Sequence, residues 1–194
     1  GIDTMRAAWY EKQGSASEVL QLGNLPTPEP EQGEVRVKLS FSGVNPSDTK
    51  RRLGFGGQKM AYPAIVPHSD GSGIIDQVGT GVPKNRIGER VWIYCGQWER
   101  AHGTAADYIS IRGNHAIPLP DNIKLMSGAC IGIPAVTAHR ALFTDGSLKN
   151  LTVLVTGGAG AVGNYAIQLA KWGGAERVIT TCSSPEKENQ AKAA

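Results

Sequence analysis

The chain has 194 residues, 40% of them hydrophobic, which is enough for one large domain or two small ones with a buried core. Its 20 basic and 17 acidic residues leave a net charge of +3 and lie scattered, without the Lys/Arg clusters that bind nucleic acid or membrane surfaces. Cys95, Cys130 and Cys182 are far apart and free of CxxC spacing, which speaks against a disulfide framework or a zinc cage and for a reducing, cytoplasmic home, and no apolar run has the length of a membrane span.

Gly1, Ile2, Asp3 and Thr4 precede a Met, lack the order of a secretion signal and are expected to be an expression remnant. From Met5 onward, short strands separated by turn chemistry are predicted at residues 7–10, 34–43, 73–78, 90–94 and 106–111. The clearest is EVRVKLSFSG, where Val35, Val37, Leu39 and Phe41 alternate with polar neighbours in the period of a half-buried strand. PTPEPEQGE before it, rich in proline, is a loop. Many short strands with little helix point to a compact β barrel or sandwich. After PLPDN the pattern turns helical over 124–143, with a break expected near Gly132 to Pro134. A domain boundary is placed near residue 125, giving a β-rich domain over 5–125 and a second domain over 126–194.

TVLVT, residues 152–156, is a β-branched run of the kind buried on both faces of a parallel sheet. It runs into GAGAVG, a GxGxxG turn made of Gly158, Ala159, Gly160, Ala161, Val162 and Gly163. A helix with an apolar face at Ala166, Ile167, Leu169 and Ala170 follows, Gly173 and Gly174 end it, and RVITT is the second parallel strand. Glycines in such a turn let the backbone bend tightly, admit a pyrophosphate against bare main chain and bring the helix close to the strand. The helix N-terminus then offers free N–H groups to the phosphates. The acid that would bind an NAD ribose is absent from TTCSSPEK at the end of the second strand, whereas Ser183 and Lys187 leave room and positive charge for a 2′-phosphate. NADP(H) is therefore the expected cofactor, with Glu186 a nearby acid that opposes it.

Several separate segments carry a resemblance. SGVNPSDTKRRLG, VPHSDGSGIIDQVGTGV, GERVW, GTAADYISI, GIPAVTAHRAL and VLVTGGAGAVGNYAIQLAK stand in the order of the medium-chain dehydrogenase/reductase superfamily, and resemble its zinc-free quinone oxidoreductases related to zeta-crystallin. The resemblance implies an α/β chain: an N-terminal β-rich GroES-like catalytic domain, a partly open barrel, followed by an incomplete Rossmann nucleotide-binding domain. It implies NADPH-dependent, metal-free hydride transfer to a conjugated acceptor, a small-molecule quinone or enone. Asn45 would contact the nicotinamide ribose and Thr137 the carboxamide. In zinc-dependent members the metal ligands fall where this chain has Asn45 and Ser69, and Asn is a poor zinc ligand. His68, one place away, is expected to be a satisfied turn or surface residue. Several relatives carry Tyr at the position of Lys50, which puts a phenolic contribution there in doubt.

From Leu151 the sequence holds one βαβ unit and the start of another helix, so the fourth strand of a doubly wound sheet is not among its residues. The resemblance implies a dimer joined through the nucleotide domain, as is typical of the full-length family. This chain alone is accordingly expected to be a poor catalyst. Two other functions fit the same residues: reduction of an enoyl thioester, or a scaffold or interaction isoform without turnover.

Overall fold

A computed structural model describes residues 3–194, which divide into two compact units, the first ending at Ile133 and the second running from Pro134 to Ala194. In chain order the first unit holds β1 (Thr4–Trp9), α1 (Ala16–Val19), β2 (Gln21–Pro26), β3 (Glu34–Gly43), α2 (Pro46–Leu53), β4 (Asp70–Val78), β5 (Arg90–Ile93), β6 (Tyr108–Arg112), β7 (Ala116–Pro118) and α3 (Leu125–Gly128). Helix α4 (Gly132–Phe143) begins at its end. The second unit adds β8 (Thr152–Val155), α5 (Ala161–Trp172), β9 (Arg177–Thr180) and α6 (Pro185–Lys192). The fold class is the expected α/β.

Strands β6-β3-β4-β5-β7 form one antiparallel sheet, and β1 pairs with β2 in a separate hairpin. The alternation in β3 sends Val35 and Val37 into a core with Ile75, Val91, Ile93, Ile109, Ile111 and Ala116. Two irregularities in the pairing of β3 with β4, between Arg36 and Val37 and between Leu39 and Phe41, shift the register as bulges do. Arg36 is buried on the other face, and this is tolerable because its charge is paired: Nε and Nη2 donate to the two Asp76 oxygens at 3.0 and 3.1 Å. Thr4 pairs with Pro26 and the Asp3 carbonyl accepts from Thr27, so two of the four residues set aside as a remnant take part in the hairpin, while Gly1 and Ile2 lie outside the described residues.

Helices α1 and α2 and strands β2 and β7 were not expected. Helix α2 starts at Pro46, where the missing N–H costs nothing, and ends on Gly54 in the left-handed region at φ 72°. The expected break in the 124–143 helical stretch lies at residues 129–131, earlier than predicted, because Pro134 falls in the first turn of α4 and is accommodated there.

In the second unit β8 and β9 pair in parallel, Thr152 opposite Arg177 through Val155 opposite Thr180, with α5 as the crossover. Ala138, Val155, Ala166, Ile167 and Ala191 form its core.

Candidate active site

Asn45 is the N-cap of α2. Its backbone N–H donates to Asp48 Oδ2 at 2.7 Å, the return contact of a capping box. Its side chain does something else: Nδ2 donates to Asp70 Oδ2 at 2.8 Å. Asp70, the first residue of β4, is 1% exposed, and its carboxylate also accepts the Ile133 N–H, 2.9 Å to Oδ1 and 3.1 Å to Oδ2. A buried carboxylate thus sits at the N-terminal turn of α4, where unpaired N–H groups favour negative charge. Gly132 makes that approach possible, since a Cβ there would overlap Asp70 Oδ1.

A chain of hydroxyls leads away from the same residue. Thr104 Oγ1 donates to the Asp70 carbonyl at 2.6 Å, and a carbonyl only accepts. The Thr104 hydroxyl proton is therefore spent, so Ser42 donates across the 2.8 Å contact to Thr104 Oγ1. The Ser42 proton being spent in turn, its oxygen accepts from His68 Nδ1 at 2.8 Å. The order fixes His68 as the Nδ1–H tautomer with the Nε2 lone pair left for another group. His68 holds this place from a left-handed backbone at φ 81°, and it is half-buried. The expectation of a satisfied turn histidine fits its hydrogen bond but missed its membership of this chain.

Burial sets the protonation of the cluster. It pushes the Asp48 carboxyl above its ordinary 3.8, with the Asn45 N–H, His68 and Arg51 pulling the other way. Asp70 is likewise raised by burial, offset by hydrogen bonds from Asn45 and Ile133. Burial lowers His68 from 6.5, so the imidazole is neutral near pH 7, and Asp48 opposes that shift.

The second unit carries the glycine turn. A Cβ on Gly158 would strike Thr180 Oγ1 and Ile167, and one on Gly163 would overlap the Gly157 carbonyl, so both are required by packing of α5 on the strands. Gly160 differs. It caps α5 at φ −72°, and the nearest atom to a Cβ there is 3.4 Å away, so nothing in the protein demands a glycine. Ala161 and Val162 open α5, and Val162 is exposed.

Gly157, Ala159, Gly160, Thr181, Cys182, Ser183 and Lys187 line one cavity of about 470 Å³. Lys187 Nζ donates to Ser183 Oγ at 3.0 Å, and the Lys187 N–H donates to Ser184 Oγ, the N-cap of α6. The structure thus brings the turn, Ser183 and Lys187 together. Thr137 stands exposed on α4 outside that lining, and Asn45 belongs to the other unit. Sequence reasoning missed Ser42, Asp70 and Thr104; Asp48 and Ser184 left local signals, the Asn-Pro-x-Asp capping box and a Ser-Pro helix start among the hydroxyls of TTCSSPEK.

Comparison with known proteins agrees with this geometry. Residues 31–121 match the alcohol dehydrogenase GroES-like domain. The quinone oxidoreductase of Rattus norvegicus is 36% identical over 171 residues, 87% of this chain and 50% of that protein. The 2-methylene-furan-3-one reductase of Solanum lycopersicum is 31% identical over 192 residues, 95% of this chain and 49% of that protein. A mycobacterial protein solved in complex with NADPH superposes with a TM-score of 0.81 at 30% identity, covering 97% of this chain and 55% of the other. The chain therefore spans about half the length of the curated relatives it matches. With a GroES-like first unit and a strand–turn–helix–strand second unit, the chain is similar, over nearly its whole length, to about half the length of the quinone oxidoreductases of the medium-chain dehydrogenase/reductase superfamily.

Proposed function

We propose that the protein is an NADPH-dependent reductase of quinones or other conjugated carbonyls, working without a metal. The observation that carries the reading is the cavity that joins Gly160, left open by the fold, to Ser183 and Lys187. The residues fit the cofactor: the open turn and free first-turn N–H groups of α5 suit the pyrophosphate, and Ser183 with Lys187 suits a 2′-phosphate. Bound NADPH supplies a hydride to the acceptor.

The chain's own residues bind and orient. Asn45, held by Asp70 and by its role as N-cap, is a fixed polar group rather than a mobile one, and its amide nitrogen is already engaged. It and Ser69 occupy the ligand positions of the zinc-dependent relatives, and neither offers the thiolate or imidazole that zinc prefers. A conjugated acceptor suits such a site, because hydride enters at an electron-poor carbon, charge moves to a distant oxygen and water supplies the proton there. The tomato relative, named for an enone, supports conjugated enones beside quinones. The test is single-turnover oxidation of NADPH by the purified protein with 1,4-naphthoquinone, with cyclohexanone as control. Quinone-dependent oxidation that survives a chelator is expected. No hydride transfer to quinone or enone, or loss of transfer on chelation, would overturn the proposal.

A further inference from the structure

A second cavity, of about 270 Å³, opens in the first unit beside α2 and is lined by Tyr10, Arg51, Met60, Tyr62, Ile65 and Gln97, with Lys59, Glu99 and Arg100 also at its walls. Two of its polar side chains are deeply buried: Tyr10 is 1% exposed and Gln97 4%. Burying a polar group without a partner is costly, so the fate of each polar atom is informative. The Tyr10 ring packs with Val19 and Ile65, and the charges that act on its phenol are those of Arg51, Asp48 and Arg52 on α2. Tyr10 itself stands at the cavity wall. Gln97 spends its Oε1 on Arg51 Nη1 at 2.9 Å, which leaves its amide nitrogen as a free donor. Arg51 keeps its remaining guanidinium donors.

The wall is built, not incidental. Gln13 Nε2 donates both to the Arg51 carbonyl at 3.1 Å and to the Gln58 carbonyl at 2.7 Å, pinning the 58–62 segment against α2. The polar side of the cavity therefore presents donors: a phenol O–H, an amide N–H₂ and a guanidinium. Two cations, Arg51 and Lys59, stand against one lining carboxylate, Glu99, which is exposed, while Arg100 is paired with Glu34 and donates to the Gly96 and Ser110 carbonyls. Met60, Tyr62 and Ile65 supply an apolar side. Donors and positive potential on one side with an apolar surface opposite recognise an anionic oxygen pair on a compact hydrophobic body.

We propose that this cavity is a binding site for a small organic carboxylate, seated on Tyr10, Arg51 and Gln97 with its apolar part against Met60, Tyr62 and Ile65. The site is built wholly from the first unit, and the proposal does not rest on the reductase reading.

Benzoate titrated into the whole chain by NMR or calorimetry tests it, with benzamide and inorganic phosphate as comparators. Benzoate binds better than either comparator. Tyr10→Phe, which keeps the packed ring and removes only the hydroxyl, weakens benzoate about tenfold, the worth of one charge-assisted hydrogen bond. Arg51→Met weakens it more. Gln97→Met gives the same answer should Tyr10→Phe alter the melting temperature. Benzamide binding as tightly as benzoate, phosphate binding more tightly, or variants that leave benzoate affinity unchanged would each overturn the proposal. NADPH binding is unaffected by all three variants, which separates failure of this site from failure of the cofactor site.

Discussion

Asn45 Nδ2 meets Asp70 Oδ2 at 2.8 Å, and the same carboxylate takes the Ile133 N–H, so one buried charge ties the N-cap of α2 to the first turn of α4. Asp70→Ala leaves both donors buried and unpaired. The expected cost is about 3 kcal/mol by urea unfolding, against about 1 kcal/mol for Asp70→Asn, which retains one acceptor.

The same cluster sets a pH signature. Asp48 and Asp70 have native values raised above 3.8, so the folded state binds more protons than the unfolded one just above that pH, and stability falls as pH climbs through this window. His68 works oppositely. Its native value lies below 6.5, the unfolded state binds more protons between the two, and its contribution is present above 6.5 and lost as pH falls through the native value. Urea midpoints against pH check both: Asp70→Asn flattens the decline above 3.8, and His68→Asn, which tolerates the left-handed backbone, flattens the rise toward 6.5.

The turn glycines separate fold from ligand. Gly163→Ala drives a Cβ into the Gly157 carbonyl and is expected to cost about 3 kcal/mol. Gly160→Ala has room and an ordinary φ, so its stability stays within about 0.5 kcal/mol of the parent. Its NADPH affinity nevertheless falls at least about tenfold, because the methyl stands where phosphate must touch backbone. Thermal melts paired with NADPH titrations read the two effects independently.

Lys187 tests the choice of dinucleotide. Lys187→Ala removes the cation beside Ser183, so NADPH is expected to bind about tenfold more weakly while NADH binding holds. Fluorescence titration of both nucleotides measures the difference.

What could be read from sequence was what local spacing encodes. The alternation of β3 and the β-branched run of β8 point to the right elements, although β8 is not buried on both faces as expected, Leu154 being 64% exposed, and the glycine turn with Ser183 and Lys187 converges on one cavity. Strand β2, QLGNLP, has no alternation to read because it is almost entirely exposed, and α2 is polar along most of its length, so its stop and start signals carried all the information. The polar cluster was illegible for a different reason. Ser42 and Thr104 are 62 residues apart, and Asp70 and Ile133 63, joined only by the sheet and the helix start. No spacing rule links such residues. Asp70 lay inside a segment whose resemblance was noted, yet only the structure shows that it anchors Asn45.

The most direct measurement of the central claim is calorimetric titration of the intact chain with NADPH and, separately, NADH. The account predicts NADPH binding clearly tighter than NADH binding, reduced by Gly160→Ala and Lys187→Ala without loss of fold. Equal affinity for the two nucleotides, or no binding by folded protein, would contradict it.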